Sequence, residues 1–379
     1  MRKLLLIVCL LLCSCAQSIR SDKDIRFAVA VADTGVFGSE ITYYSEDGLV
    51  LEKAELRGKF FPAGPGSVAA RPVFRNGYAW LMPGRENSQR ADDYGIVKLN
   101  LENGSLDVTP VEIFDYDTLY ASEDSLVLIQ HTKDFVYWRS VIPFENTESR
   151  IDQLNDHVPG SYYRINDGWL HVSIIPDCRL IVMDENFTPL AEKVIADSAA
   201  LDYRPVYTDS VFIDNSLYTA AQKEVRVKKD GFENEDGRFA GYSFALMKTD
   251  PKTLEYEIFE SEGREIIMLE QLNETELIML CRKRSMRADV QGNTTYYSYS
   301  EEDSSLCVFD TETEEFRDIE TNWKPAYMQM SERGLYVLDL ENTVHLLDPE
   351  TMEEIISFRH VPSEENALTA YLIPCDPLE

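Results

Sequence analysis

The sequence predicts an all-β chain built as a β-propeller, most simply of seven four-stranded blades closed into a ring by the C-terminal strand. Three observations predict it. A unit of two apolar runs recurs along the chain, the runs are bounded by Gly, Asn and Asp, and the two ends are complementary fragments of one unit. Strand-length apolar runs between such turn residues mark a succession of hairpins. A period of about 50 residues suits blades of four strands.

The second run of the unit is clearest in Leu306 to Thr313 and Val344 to Thr351, where it ends in Asp and a Thr-bearing turn. The same shape occurs at Phe244 to Pro251, Leu180 to Asn186 and Ile96 to Gly104, with weaker copies at Ile41 to Gly48 and Val141 to Asn146. Each copy follows a partner run. In chain order these are Phe27 to Val31, Tyr78 to Leu81, Leu126 to Ile129, Trp169 to Val172, Leu217 to Ala220, Leu277 to Leu280 and Leu335 to Leu338. The copies count seven; the third is degenerate, which leaves six and eight as neighbouring counts. The first unit has no innermost strand upstream of it, and Ala367 to Pro374 is a strand with no hairpin after it. A closed ring needs its edges paired, so the last strand completes the first blade.

Leu335 to Thr351 reads Leu-Tyr-Val-Leu-Asp, a spacer, then Val-His-Leu-Leu-Asp and the Thr-bearing turn. This resembles the PQQ-like and YVTN-like propeller repeats. The resemblance covers nearly the whole mature chain and is sharp in the last two copies. It implies the propeller fold. The Trp docking pattern of quinone-binding members is missing, as is a Trp-Asp dipeptide, so no cofactor is carried over.

The N-terminus has Met1-Arg2-Lys3, an apolar run from Leu4 to Leu12, and then Cys13-Ser14-Cys15. A basic start, a short apolar stretch and a small residue before the cleavage point mark a secretory signal. The run is shorter than the roughly 20 residues a membrane span needs. Leu12-Cys13-Ser14-Cys15 resembles the bacterial lipobox. The resemblance implies a signal peptide over 1–14, a tether over 15–25 carrying acyl chains such as palmitate on Cys15, and a propeller domain over 26–379. Several acyl chains on one residue anchor stably. The expected location is the cell membrane or outer membrane, facing the periplasm or the exterior.

The chain carries 67 Asp and Glu against 36 Lys and Arg. That surplus disfavours nucleic acid and anionic headgroups as partners of the whole surface. Beyond the signal and Cys15 there are four cysteines, Cys178, Cys281, Cys307 and Cys375. An exported chain can form disulfides. Cys281 and Cys307 flank one long insertion and are the candidate pair, with buried free thiols as the alternative. The histidines, His131, His157, His171, His345 and His360, show no metal-ligand spacing. There is no GxSxG elbow or phosphate loop. So many acids make any carboxylate pair uninformative about glycoside hydrolysis.

Two features point to a binding surface. Arg71-Pro72, Arg204-Pro205 and Lys324-Pro325 stand at the start of three innermost strands. Proline keeps the preceding residue extended. Arg71, Arg204 and Lys324 are therefore expected at one depth, as a cationic ring at the channel mouth suited to carboxylate or sulfate. The alternative pairs each cation with an acid of a neighbouring blade. The second feature is two insertions between second and third strands, Gln222 to Gly241 with Arg226, and Arg282 to Ser304 with Arg284, Tyr296 and Tyr297. Long loops in compact domains are commonly functional, and basic residues interleaved with Tyr grip peptides or sugars.

The leading expectation is a non-catalytic binding or scaffold propeller on the envelope, engaging a protein or an anionic glycan on the insertion face. The alternatives are a carbohydrate lyase or hydrolase and an outer-membrane assembly factor, the last favoured by an exposed strand edge.

Overall fold

The computed structural model describes residues 25–36, 38–57, 61, 71–82, 95–110, 115–121, 124–131, 137–144, 150–154, 160–165, 168–173, 178–196, 203–226, 240–291, 294–365 and 367–378. They form seven four-stranded antiparallel sheets, the blades of a β-propeller. Blade 1 holds β1 (Val29–Thr34), β2 (Gly38–Tyr44) and β3 (Val50–Arg57). Blade 2 is β4 (Val73–Arg75), β5 (Tyr78–Leu81), β6 (Gly95–Asn100) and β7 (Leu106–Pro110). Blade 3 is β8 (Asp115–Ala121), β9 (Ser125–His131), β10 (Tyr137–Pro143) and β11 (Arg150–Leu154). Blade 4 is β12 (Gly160–Ile165), β13 (Gly168–Ser173), β14 (Cys178–Met183) and β15 (Pro189–Ala196). Blade 5 is β16 (Arg204–Ile213), β17 (Ser216–Arg226), β18 (Ala240–Thr249) and β19 (Tyr256–Glu260). Blade 6 is β20 (Arg264–Gln271), β21 (Glu276–Gln291), β22 (Thr294–Asp310) and β23 (Glu315–Ile319). Blade 7 is β24 (Pro325–Ser331), β25 (Gly334–Asp339), β26 (Thr343–Leu347) and β27 (Glu354–Arg359), and β28 (Leu368–Pro374) returns to pair with β1. The seven repeat copies all fall on the second and third strands of blades.

The first strands of successive blades neighbour one another around the axis, from β4 to β28. Apolar clusters lie between blades as well as within them. One joins Trp169 of blade 4 to Val127 and Ile129 of blade 3, and another joins Tyr218 of blade 5 to Phe309 of blade 6. β28 shows why closure matters. Alternate strand residues point to opposite faces, and here Tyr371 and Ile373 pack into the blade 1–2 cluster while Leu372 packs into the blade 6–7 cluster. The Tyr371 hydroxyl donates to the Met82 carbonyl at 3.0 Å.

The Asp that closes the third strand in blades 6 and 7 has a local job. Asp310 accepts the N–H groups of Glu312 and Thr313 at 2.8 and 2.9 Å, and Asp348 those of Glu350 and Thr351 at 2.9 Å. Asp250 and Asn100 do the same in their blades. Such Asx caps fix a tight turn. The fifth residue of each turn is left-handed, Gly104 at φ 68°, Leu254 at 58°, Glu314 at 61° and Met352 at 59°. Only the glycine takes that conformation without strain.

Antiparallel alternation puts the first-to-second and third-to-fourth strand turns on one face, here the lower. The second-to-third turns and the links between blades lie on the upper face. Ile25, placed by the sequence at the end of the tether, already belongs to the fold. It is buried, and its N–H donates to the Asn103 carbonyl at 2.8 Å on the lower face.

Two outcomes are expected. Removing Ala367 to Glu379 leaves β1 an unpaired edge and strips both interblade clusters of a member, so the melting temperature falls steeply; thermal melts check it. The backbone donors of Thr313, Thr351 and Lys252 hold Asp310, Asp348 and Asp250 below the ordinary carboxylate range. A depressed folded pKa contributes stability above the unfolded value, and that contribution is lost as pH falls through the folded one. Replacing the three by Asn, which caps the turn at Asn100, removes this ionisation-dependent contribution, so the melting temperature falls slightly near neutral pH and the acid limb of its profile flattens.

Candidate functional site

The cationic positions divide. Arg204 pairs with Gln222, and the Lys324 carbonyl accepts from the Leu340 N–H at 2.9 Å, so each stands six residues along its second strand from Ser216 or Gly334. Arg71 is only four residues from Arg75, the last residue of β4, and sits deeper. The shared dipeptide therefore does not set a shared depth, because first strands differ in length and carry bulges between Pro205 and Ser210 and between Pro325 and Tyr327. Arg71 bonds Glu270 on β20 of blade 6. Glu270 lies on the first strand of blade 6 and Arg71 two residues before that of blade 2, and blades 2 and 6 are not neighbours, so this pair crosses the central channel. Lys324 pairs with Asp303 of the neighbouring blade 6 at 3.1 Å. The side chain of Arg204 lies outside the described set.

The insertions are continuations of strands. β21 and β22 stay paired from Glu276↔Asp310 out to Gln291↔Thr294, whereas β20 pairs with β21 only as far as Lys283 and β23 with β22 only from Leu306. Beyond that root a two-stranded ribbon stands alone among the described residues, with Arg284 opposite Glu301, Ala288 opposite Tyr297 and Asp289 opposite Tyr296. In blade 5, β17 and β18 likewise pair out to Arg226↔Ala240. Cys15 lies outside the described residues, and so do the side chains of Arg226, Arg284, Tyr296 and Tyr297. At the root of that second ribbon Tyr203 donates to Glu260 at 2.9 Å and Lys223 bonds it at 3.3 Å. Tyr203 first, then Lys223, holds Glu260 below the usual carboxylate range.

Cys281 and Cys307 are free thiols in the structure, both buried. Cys281 stands opposite Ser305 and Cys307 opposite Met279, so the two are diagonal neighbours at the ribbon root. They share a hydrogen bond, which together with burial raises the Cys281 pKa.

The site that sequence reasoning missed lies on the upper face, where the link from blade 7 crosses blade 1. His360 is fully buried between Tyr44, whose hydroxyl is 2.6 Å from Nδ1, and Asp33, 2.8 Å from Nε2. Burial, and then Asp33, pushes the Tyr44 phenol well up, so it stays protonated and donates to Nδ1, leaving Nε2 to donate to Asp33. Thr369 of β28 donates to the other Asp33 oxygen at 2.8 Å. Lys53 then reaches Glu40 at 3.0 Å, the Val361 carbonyl at 3.0 Å and Ser363 at 2.9 Å, and Glu364 accepts the Val36 N–H at 2.7 Å. These contacts frame a cavity of about 530 Å³ lined by Asp33, Glu40, Glu55 and Glu364 together with Gly35, Gly38, Ser39, Ser363 and Ala367. Val36, Leu340, Val361 and Leu368, 49–69% exposed, belong to the turns and link on this same face.

One signal pointed there. Asp33 and Asp339 occupy the same place in the repeat, fifth from Val29 and Leu335. Asp339 also holds a histidine: His345 Nε2 lies 3.3 Å from it and Nδ1 2.6 Å from Glu354, with the ring stacked on Trp323 at 4.1 Å.

No protein-family model matches the chain, and no curated protein sequence does. Among solved structures it is similar to a puromycin hydrolase, at 11% identity and TM-score 0.54, over 92% of this chain and 55% of that one. It thus spans little more than half the length of that enzyme. It is also similar to AztD from Citrobacter koseri, at 8% identity and TM-score 0.51, over 91% and 97% of the two chains. BamB from Moraxella catarrhalis aligns at 13% identity and TM-score 0.42, over 91% and 90%. At such identities the first two likenesses bear on the fold alone.

The channel pair has a measurable role. Arg71→Gln takes the Arg71 charge away from Glu270, whose side chain is 14% exposed, and is expected to cost about 2 kcal/mol. The double replacement with Glu270→Gln restores part of that in chemical denaturation. Equal losses in single and double variants would show that the two groups do not interact.

Proposed function

We propose that this chain is an envelope-tethered, non-catalytic binding propeller whose upper face holds a protein partner. The observation that carries the reading is the β21–β22 ribbon, which runs past its blade with no further strand on either edge among the described residues. A lone two-stranded ribbon is marginally stable in water. Unpaired edges are templates for an added strand of another polypeptide.

A protein is favoured over an anionic glycan because Arg71 and Lys324 already hold Glu270 and Asp303. The polarity of the fold agrees. The chain enters at Ile25 on the lower face, opposite the ribbons. With acyl chains on Cys15, ten residues of tether span at most roughly 36 Å. The upper face is then presented away from the bilayer.

The test replaces residues 285–300 by an Asn-Gly turn, which leaves the four-stranded part of blade 6 intact. The shortened chain is expected to melt with the parent yet lose the partner that photo-crosslinks in cells to a probe at Asn322 on the upper face of blade 6. Cys15→Ala should release the chain from membranes or leave an uncleaved precursor, read by fractionation and fatty-acid labelling. Unchanged crosslinks in the shortened chain refute the ribbon's role, and fatty-acid label retained by Cys15→Ala refutes the tether.

A further inference from the structure

We propose that the cavity between blades 7 and 1 seats a lysine or arginine side chain of the partner, with apolar flanking residues lying against Val36, Leu340, Val361 and Leu368. This rests on the reading of the upper face as a protein-binding surface and names the chemistry it selects.

Two independent features converge. The first is the apolar rim. These four side chains are exposed although they crown a well-packed seam. They come from four segments tied together by the His360 N–H to the Asn342 carbonyl at 2.7 Å, the Val36 N–H to Glu364 and the Ala367 N–H to the Glu364 carbonyl at 3.1 Å. An exposed apolar set rimmed by polar groups marks a docking surface.

The second is charge. Four carboxylates line the cavity, and Lys53, engaged with Glu40, is the cation bonded among them. Glu364 is turned inward by the Val36 N–H and lies close over Gly35, where a Cβ would stand 2.5 Å from its carboxyl carbon. A carboxylate has about four acceptor positions, and one backbone donor leaves room for more. Like charges gathered in a partly enclosed space favour a cationic guest. A volume of about 530 Å³ lies within the range of sites for small ligands and holds an extended basic side chain with part of its backbone. A guanidinium or ammonium flanked by Leu or Phe satisfies both features. A purely apolar segment would desolvate the lining carboxylates without adding a counter-charge, and an acidic one would be repelled.

The probe is a short acetylated, amidated peptide with Arg between pairs of Leu, compared with the same peptide carrying Lys, Gln or Glu at the centre. Binding to the full chain is followed by calorimetry at low and high salt. The Arg and Lys peptides are expected to bind at least tenfold more tightly than the Gln peptide, about 1.4 kcal/mol, and to weaken with salt. Glu364→Gln keeps the acceptor for Val36 and should cost the Arg peptide about tenfold while leaving the Gln peptide unchanged. Val361→Ser with Leu340→Ser, both on exposed positions, should weaken every peptide without moving the melting temperature. Equal binding of Arg and Gln peptides, no binding of either, or an Arg affinity indifferent to Glu364→Gln overturns the proposal. A wild-type dimer that Val361→Ser dissociates in sedimentation overturns it too, by showing a second copy as the occupant. Loss of the cellular crosslink in the ribbon-shortened chain but not in the seam variants would sink this inference alone. Crosslinks indifferent to ribbon shortening would sink the ribbon reading and leave the peptide titrations to judge the seam.

Discussion

Pairing of β28 with β1 is the constraint on which the ring depends. Much of a propeller's core lies between its sheets, so a blade is well buried only when both neighbours are in place. β28 belongs to two interblade clusters at once, with Tyr371 and Ile373 on one face and Leu372 on the other. It also brings Thr369 to Asp33 and the Tyr371 hydroxyl to Met82. The chain ends are thereby held by hydrogen-bonded ladder, apolar burial and a buried polar network together. Each is satisfied only in the closed register, because a one-residue slip would exchange the faces of β28.

The acidic composition acquires meaning inside that frame. Many of the carboxylates do local structural work. Asp250, Asp310 and Asp348 organise turns, Glu270 crosses the channel to Arg71, and Asp33 and Asp339 hold buried histidines. Both Asp33 and Asp339 stand at one repeat position, yet their surroundings differ. His345 comes from the third strand of the same blade as Asp339, whereas His360 comes from the link that crosses from blade 7 to blade 1. A repeat position that merely ends a strand elsewhere becomes, at the seam, the anchor of the closing link.

Much of this was legible in the sequence, and the rest was not for identifiable reasons. The strand pairs could be read because continuous apolar runs such as Leu335 to Leu338, buried on both blade faces, are bounded by turn residues, and Asp310 and Asp348 recur at fixed offsets. The missing first strand of blade 1 and the surplus strand after Ala367 announced the closure. The depth of Arg71 could not be read, since the matching Arg-Pro and Lys-Pro dipeptides hide first strands of unequal length. The ribbon was read as a loop insertion, although Met286, Ala288 and Val290 keep a strand's alternation opposite Tyr299, Tyr297 and Thr295. The seam site escaped altogether. Asp33 and His360 lie 327 positions apart, and no local pattern joins them before the ring is closed.

The cavity at this seam lies beneath a link longer than those between blades 5 and 6 and between blades 6 and 7. Blades 5 and 6 are joined by Ser261 to Gly263, and blades 6 and 7 by Glu320 to Lys324, short spans that pull adjacent first strands together. The link from β27 to β28 runs from His360 to Ala367 and must pass over the top of blade 1 to reach the innermost position. A longer link rises off the sheet edges, and the space beneath it is walled by whatever the neighbouring turns present. Here those walls are the Gly35 turn, the carboxylates of β2 and β3, and the Glu364 side chain folded back from the link itself. Such a chamber is secured at its floor by the buried Asp33–His360–Tyr44 network and open to solvent above. Rigidity below and access above are what a recognition site requires, because little ordering entropy remains to be lost when a partner's side chain enters.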